Sequence, residues 1–103
     1  MKIKVEREKI IKAMKKLEEI EIVLETPDDA KEAIDIVLRR TDLFNSDHYK
    51  KLKEINVTSI QEYKTSAVNY NITFMLEFVF EKEASINTKI EVIKEFQTYF
   101  EKL

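Results

Sequence analysis

The chain contains no glycine. Every position therefore carries a side chain, and no residue can enter the left-handed backbone region without a steric cost. Average usage of about 7% would place roughly seven glycines in a chain of this size. Their absence removes several functions at once. A Walker A loop, a dinucleotide G-x-G-x-x-G turn and a G-x-S-x-G nucleophile elbow each need glycine for close backbone approach. The chain must also turn without it, using Asn, Asp and Ser.

Cysteine is absent too, which excludes disulfides, zinc-thiolate sites, iron–sulfur clusters and thiol nucleophiles. A core that must suffice without disulfides suits a reducing compartment, so a cytoplasmic setting is expected. The 103 residues make one domain, residues 1–103, and the 44% hydrophobic and 37% charged composition suits a soluble globule. The N-terminal residues, with Lys2, Lys4, Arg7 and Lys9, are too charged for a secretory segment. The longest apolar run, Phe74 to Phe80, is broken by Glu77 and is far too short to span a bilayer. Asn56-Val57-Thr58 and Asn71-Ile72-Thr73 match the glycosylation sequon, and without an export signal both are read as chance matches.

Periodicity orders the elements. Met1 to Val5 alternates and reads as a short strand. From Glu6 to Glu19 the period is helical, with Ile10, Ala13, Met14, Leu17 and Ile20 on one face. Ile20 to Glu25 reads as a second strand, completing an opening β-α-β unit. Thr26 and Pro27 then start a helix: the threonine accepts from free amides, and proline at N1 loses no bond. Asp28 and Asp29 suit its positive end, Arg39 and Arg40 its negative end. Ala30, Ala33, Ile34, Val37 and Leu38 face inward. Asn45 or Ser46 is expected to cap a shorter helix through Tyr49, Leu52 and Ile55.

Val57 to Thr65 is β-branched and aromatic, a strand. Asn69 to Lys82 is a stronger one, because Tyr70, Ile72, Phe74, Leu76, Phe78 and Phe80 occupy every second position. Residues 66–69 connect the two, with Asn69 the expected residue of positive φ. Ser85 to Leu103 is helical, capped by Ser85 or Asn87. The expected fold is α+β and two-layered. Three or four mostly antiparallel strands carry helices on one face, in the order β-α-β-α-α-β-β-α.

Function must then lie on surfaces. The terminal helix has a wide apolar face (Ile86, Ile90, Val92, Ile93, Phe96, Tyr99, Phe100, Leu103), wider than a helix covering one side of a sheet needs. Its edge at Val92, Tyr99 and Leu103 is a candidate contact with a second chain, either another protein or a second copy in a homodimer. The outer face of the long strand is polar apart from Met75 and Val79 and reads as solvated.

Charge is segregated. Residues 1–20 hold seven Lys or Arg against four Glu, and residues 21–38 hold six acidic groups against Lys31. Asp28, Glu32 and Asp35 form an acidic stripe on the second helix. That stripe could occupy a partner's basic groove. Lys9, Lys12, Lys15 and Lys16 form a basic face on the first helix, the alternative site, which would take nucleic acid. Paired i,i+4 charges such as Glu8–Lys12 and Asp35–Arg39 would instead make both faces ordinary solvated surface.

Catalysis has little support. His48 is the only histidine, and Asp42, Asp47 and His48 lack metal-ligand spacing. The expectation is a small protein-binding module without cofactor, metal or enzymatic activity. It would act sterically, as an inhibitor of a host nucleic-acid-handling protein, carried by a virus or mobile element. That source is suggested by a composition rich in Lys, Ile, Glu and Asn and poor in Arg.

Overall fold

The computed structural model describes residues 1–18, 24–41, 46–63 and 70–103. The elements run β1 (Lys2–Glu6), α1 (Arg7–Lys16), α2 (Pro27–Arg40), α3 (Ser46–Tyr49), β2 (Leu52–Tyr63), β3 (Tyr70–Phe80) and α4 (Ile86–Glu101). The strands form one antiparallel sheet in the order β1-β3-β2, and the helices lie on one of its faces. This is the expected two-layer α+β architecture.

β3 is central because it is the strand with the most apolar side chains to bury. Phe74, Leu76 and Phe78 are buried beneath the helices. Phe74 and Leu76 pair with Val5 and Ile3 on one side, where the Phe78 N–H also donates to the Met1 carbonyl at 2.9 Å; on the other side Phe74, Leu76 and Phe78 pair with Ser59, Val57 and Ile55. The opposite face presents Lys2, Lys4 and Glu6 of β1, Met75, Glu77 and Val79 of β3, and Glu54, Asn56 and Thr58 of β2. It is mostly polar: the β1 and β2 residues are exposed, Met75, Glu77 and Val79 are half-buried, Thr73 is buried, and Lys2 and Glu77 stand 3.6 Å apart across two strands.

The short helix ends earlier than the spacing of Tyr49, Leu52 and Ile55 suggests. α3 stops at Tyr49, and Leu52 and Ile55 belong to β2. Leu52 pairs with Phe80 and Glu54 with Val79, which leaves Lys53 as an extra residue in a bulge. The bulge is what puts Leu52 and Ile55, three apart, on the same sheet face. An i,i+3 pair is therefore satisfied in a strand, and it mimics a helical period.

α1 follows β1 with no intervening loop, and buries Ile10, Ala13 and Met14. It closes at Leu17, whose N–H donates to the Ala13 and Met14 carbonyls at 3.3 and 3.0 Å. Glu18 then adopts φ 61° and is the one non-glycine residue with positive φ among those described. The left-handed residue commonly needed after a helix is here a glutamate, because no glycine exists to supply it.

α2 begins as its sequence implies. Thr26 Oγ1 accepts from the Asp29 N–H at 3.2 Å, and the Asp29 carboxylate accepts from the Glu25 and Thr26 N–H groups at 3.1 Å each. Those backbone donors, Glu25 first and then Thr26, hold the Asp29 carboxyl below the usual carboxylate range. Ala30, Ala33, Ile34 and Val37 are buried. α1 and α2 run side by side in the same direction. The Arg7 Nε donates to the Leu24 carbonyl near their starts (2.7 Å), and an Arg40 guanidinium nitrogen donates to the Leu17 carbonyl at their ends (3.0 Å). Arg40 thus serves the negative end of the neighbouring helix.

α4 is capped by Ser85, whose Oγ accepts from the Thr88 N–H at 3.1 Å; Asn87 lies inside the helix. Val92, Phe96 and Phe100 point into the core. The Phe96 ring meets Phe78 edge-on at 5.2 Å and lies 4.7 Å from Phe100, joining helix and sheet through aromatic contacts.

Of the expected strand Ile20–Glu25, only Leu24 and Glu25 are described; neither is in a strand, and Leu24 is fully buried. Residues 42–45, with Asp42 and the candidate cap Asn45, and the connection containing Asn69 lie outside the described residues. So does the side chain of His48.

Candidate functional site

The acidic stripe is an outcome of how α2 is buried. Its apolar residues turn toward β2 and α1, and Asp28, Glu32 and Asp35, spaced by four and three residues, are left exposed on the far side. No cationic side chain among the described residues stands within salt-bridge distance of any of the three. Arg39, one turn beyond Asp35, donates its Nε to the Asp35 backbone carbonyl at 3.3 Å and leaves the carboxylate alone. The Asp35–Arg39 and Glu8–Lys12 side-chain pairs are not formed. Asp29, between these residues in sequence, is used by the helix cap and takes no part in the stripe.

On α1, Lys12, Lys15 and Lys16 are exposed, whereas Lys9 is half-buried. The Lys9 Nζ donates to the Leu103 carbonyl at 3.1 Å, fastening α1 to the end of α4. The basic face therefore consists of three exposed lysines, with the fourth engaged inside the fold.

The edge expected on the terminal helix divides differently. Val92 is fully buried and takes no part in an exposed surface. It falls one turn before Phe96 on the inward line of α4, so the core claims it. Tyr99 and Leu103 are half-buried and pack against the same core. Tyr99 stands edge-on to Phe100 at 5.2 Å, and burial pushes its phenol pKa up. The exposed apolar residues of α4 are instead Ile86 and Ile90, at 71% and 47% exposure. Both belong to the wide apolar face seen in the sequence, and their position on its flank is the signal that could have singled them out.

A groove of about 220 Å³ separates α4 from β1. Ile3, Val5, Phe96, Gln97 and Phe100 line it, and Glu6, Lys9 and Glu101 stand at one end. Nothing in the sequence pointed to it, because it is made by two elements more than 80 residues apart in the chain.

No set of three His, Cys, Asp or Glu side chains among the described residues is placed to hold a metal. No helix among them is long and apolar enough to cross a membrane. Comparison with protein-family models, with curated proteins and with solved structures finds no match for the chain.

Proposed function

We propose that the protein is a binding module that acts sterically on another protein through the acidic stripe of α2. The observation that carries this reading is that Asp28, Glu32 and Asp35 are exposed on one face, with no cationic side chain among the described residues within salt-bridge distance. Fixed like charges on a rigid helix favour a partner of opposite sign and raise its rate of encounter. The groove of a nucleic-acid-handling protein, lined with Lys and Arg for phosphates, has that chemistry. An inhibitor occupying such a groove needs no catalytic residue, and the virus- or mobile-element-encoded inhibitor is the form this reading takes.

The test is affinity capture from the native cytoplasm with mass spectrometry, using the chain and its Asp28/Glu32/Asp35→Ala variant. The reading expects captured nucleic-acid-binding proteins that are released by salt or by competing DNA and are lost in the variant. An identical captured set with the variant would refute it.

A second reading rests on the exposure of Lys12, Lys15 and Lys16. These would contact phosphates, and affinity for DNA or RNA would fall steeply with salt. Fluorescence anisotropy showing no binding to either at about 50 mM salt, where such contacts are far stronger than at physiological salt, removes it.

A further inference from the structure

We propose that β1 pairs with β1 of a second copy of this chain, joining two sheets edge to edge about a two-fold axis. This surface is separate from the acidic stripe.

Glu6 ends β1 and holds the N-cap position of α1, yet its side chain makes no cap bond. It is exposed and stands opposite the neutral Thr73 of β3. No cationic side chain among the described residues is within salt-bridge distance of it. The other end of the same strand carries the opposite charge, since β1 reads Lys2-Ile3-Lys4-Val5-Glu6. An antiparallel copy centred on Lys4 sets Glu6 against Lys2 of the copy. A two-fold interface is the same patch on both chains, so this pair forms twice.

The backbone is in phase for that register. β1 borders the sheet in the order β1-β3-β2. The Phe78 N–H donates to the Met1 carbonyl at 2.9 Å, and Ile3 and Val5 pair with Leu76 and Phe74. In an antiparallel ladder this phase turns residues 1, 3 and 5 toward β3, and it turns the Lys2 carbonyl and the Glu6 N–H away. In the joined sheet the Glu6 N–H donates to the Lys2 carbonyl of the copy, again twice.

The side chains agree on both faces. On the inner face Ile3 and Val5 come beside Val5 and Ile3 of the copy, at the closely spaced positions of the ladder, where β-branched pairs pack well. Both residues line the groove at α4, so the apolar row of the copy extends that lining. On the outer face Lys2 comes to lie between Glu77 and Glu6 of the copy. It stands 3.6 Å from Glu77 with 62% of its side chain exposed, and an ammonium with three donors can serve a carboxylate on each side. Lys4 faces its own copy on the axis, the one unfavourable contact. Edge lysines commonly discourage pairing, and Glu6 is what makes this row complementary to itself. An unrelated strand would need lysine, apolar and acidic residues at the same spacing; a second copy supplies them by symmetry.

Sedimentation equilibrium of the full chain up to about 1 mM tests this, and is expected to show a reversible monomer–dimer equilibrium, weak because so short a strand makes a small interface. Lys2→Glu and Glu6→Lys each create two like-charge contacts. Both positions are exposed, so each variant is expected to keep the parent circular dichroism and to weaken the dimer at least about tenfold. Mixed in equal amounts, the two variants are expected to restore it. One then carries acid at both ends of β1 and the other lysine at both, so every end contact is again between opposite charges. In hydrogen-exchange NMR the Glu6 amide is expected to gain protection as chain concentration rises. Asp28/Glu32/Asp35→Ala leaves association unchanged, which separates this proposal from the reading of the acidic stripe. A wild-type chain that stays monomeric, a dimer indifferent to both substitutions, a mixture that stays monomeric, or a Glu6 amide equally protected at every concentration would each overturn the proposal.

Discussion

Replacing Glu18 with glycine should stabilise this protein. Glu18 ends α1 at φ 61°, exposed, and its side chain holds no hydrogen bond or ion pair among the described residues. A residue with a Cβ costs about 1–2 kcal/mol in the left-handed region. Glycine removes that cost but gives the unfolded chain more freedom, which returns about 0.4–1 kcal/mol. The net gain is about 0.5–1 kcal/mol, which for a domain of about 100 residues raises Tm by roughly 3–6 °C. A carboxylate at the negative end of a helix is also unfavourable, by about 0.3 kcal/mol or more when exposed. Glu18→Gln isolates that charge effect, since glutamine keeps the Cβ. Glu18→Asn should recover part of the backbone gain, and Glu18→Val, β-branched, should lose stability. Thermal and urea melts followed by circular dichroism check the series. If Gln gives as much as Gly, or Gly gives nothing, the strain at Glu18 is not what limits the end of α1.

Phe96→Ala removes a fully buried ring that joins α4 to Phe78 and Phe100, and should cost about 3–5 kcal/mol in urea unfolding. A loss under about 1 kcal/mol would mean that α4 is not seated on the sheet. The depressed pKa of Asp29 makes the α2 cap sensitive to acid. Its contribution is present above the ordinary carboxylate pKa of 3.8 and is lost as pH falls through the lowered value. The stability difference between wild type and Asp29→Asn should therefore be constant near neutrality and shrink below that range; a difference that grows on acidification would contradict the assignment.

Much of the fold was legible because its signals are local. Thr26 with Asp29, and Ser85 with Thr88, cap helices through bonds spanning three residues. The row from Tyr70 to Phe80 could only be a strand with one buried face. What was not legible depends on partners distant in sequence. Leu52 and Ile55 have a helical spacing, and only the bulge at Lys53 against β3 makes them strand neighbours. Val92 looked like part of an edge because a helical wheel shows how wide an apolar face is, but not where its centre meets the sheet. Asn69 was the expected left-handed residue. The one that the structure describes is Glu18, chosen by where α1 must stop.

By itself, the sequence determined which side chains share a face, where the helices start, and which glycine- and cysteine-dependent chemistries are closed to this chain. Those follow from steric rules and hydrogen bonds within a few residues. The tertiary structure alone decided that β1 pairs with β3 from about 70 residues away and that α4 packs near β1, leaving a groove between them. The same tertiary packing decided that Lys9 leaves the basic face to bind the end of α4, while Asp28, Glu32 and Asp35 all stay exposed. Alternation tells a strand which face to bury but not which strand to lie beside. That choice is made by the packing of the whole core, where Phe74, Leu76 and Phe96 are all buried together.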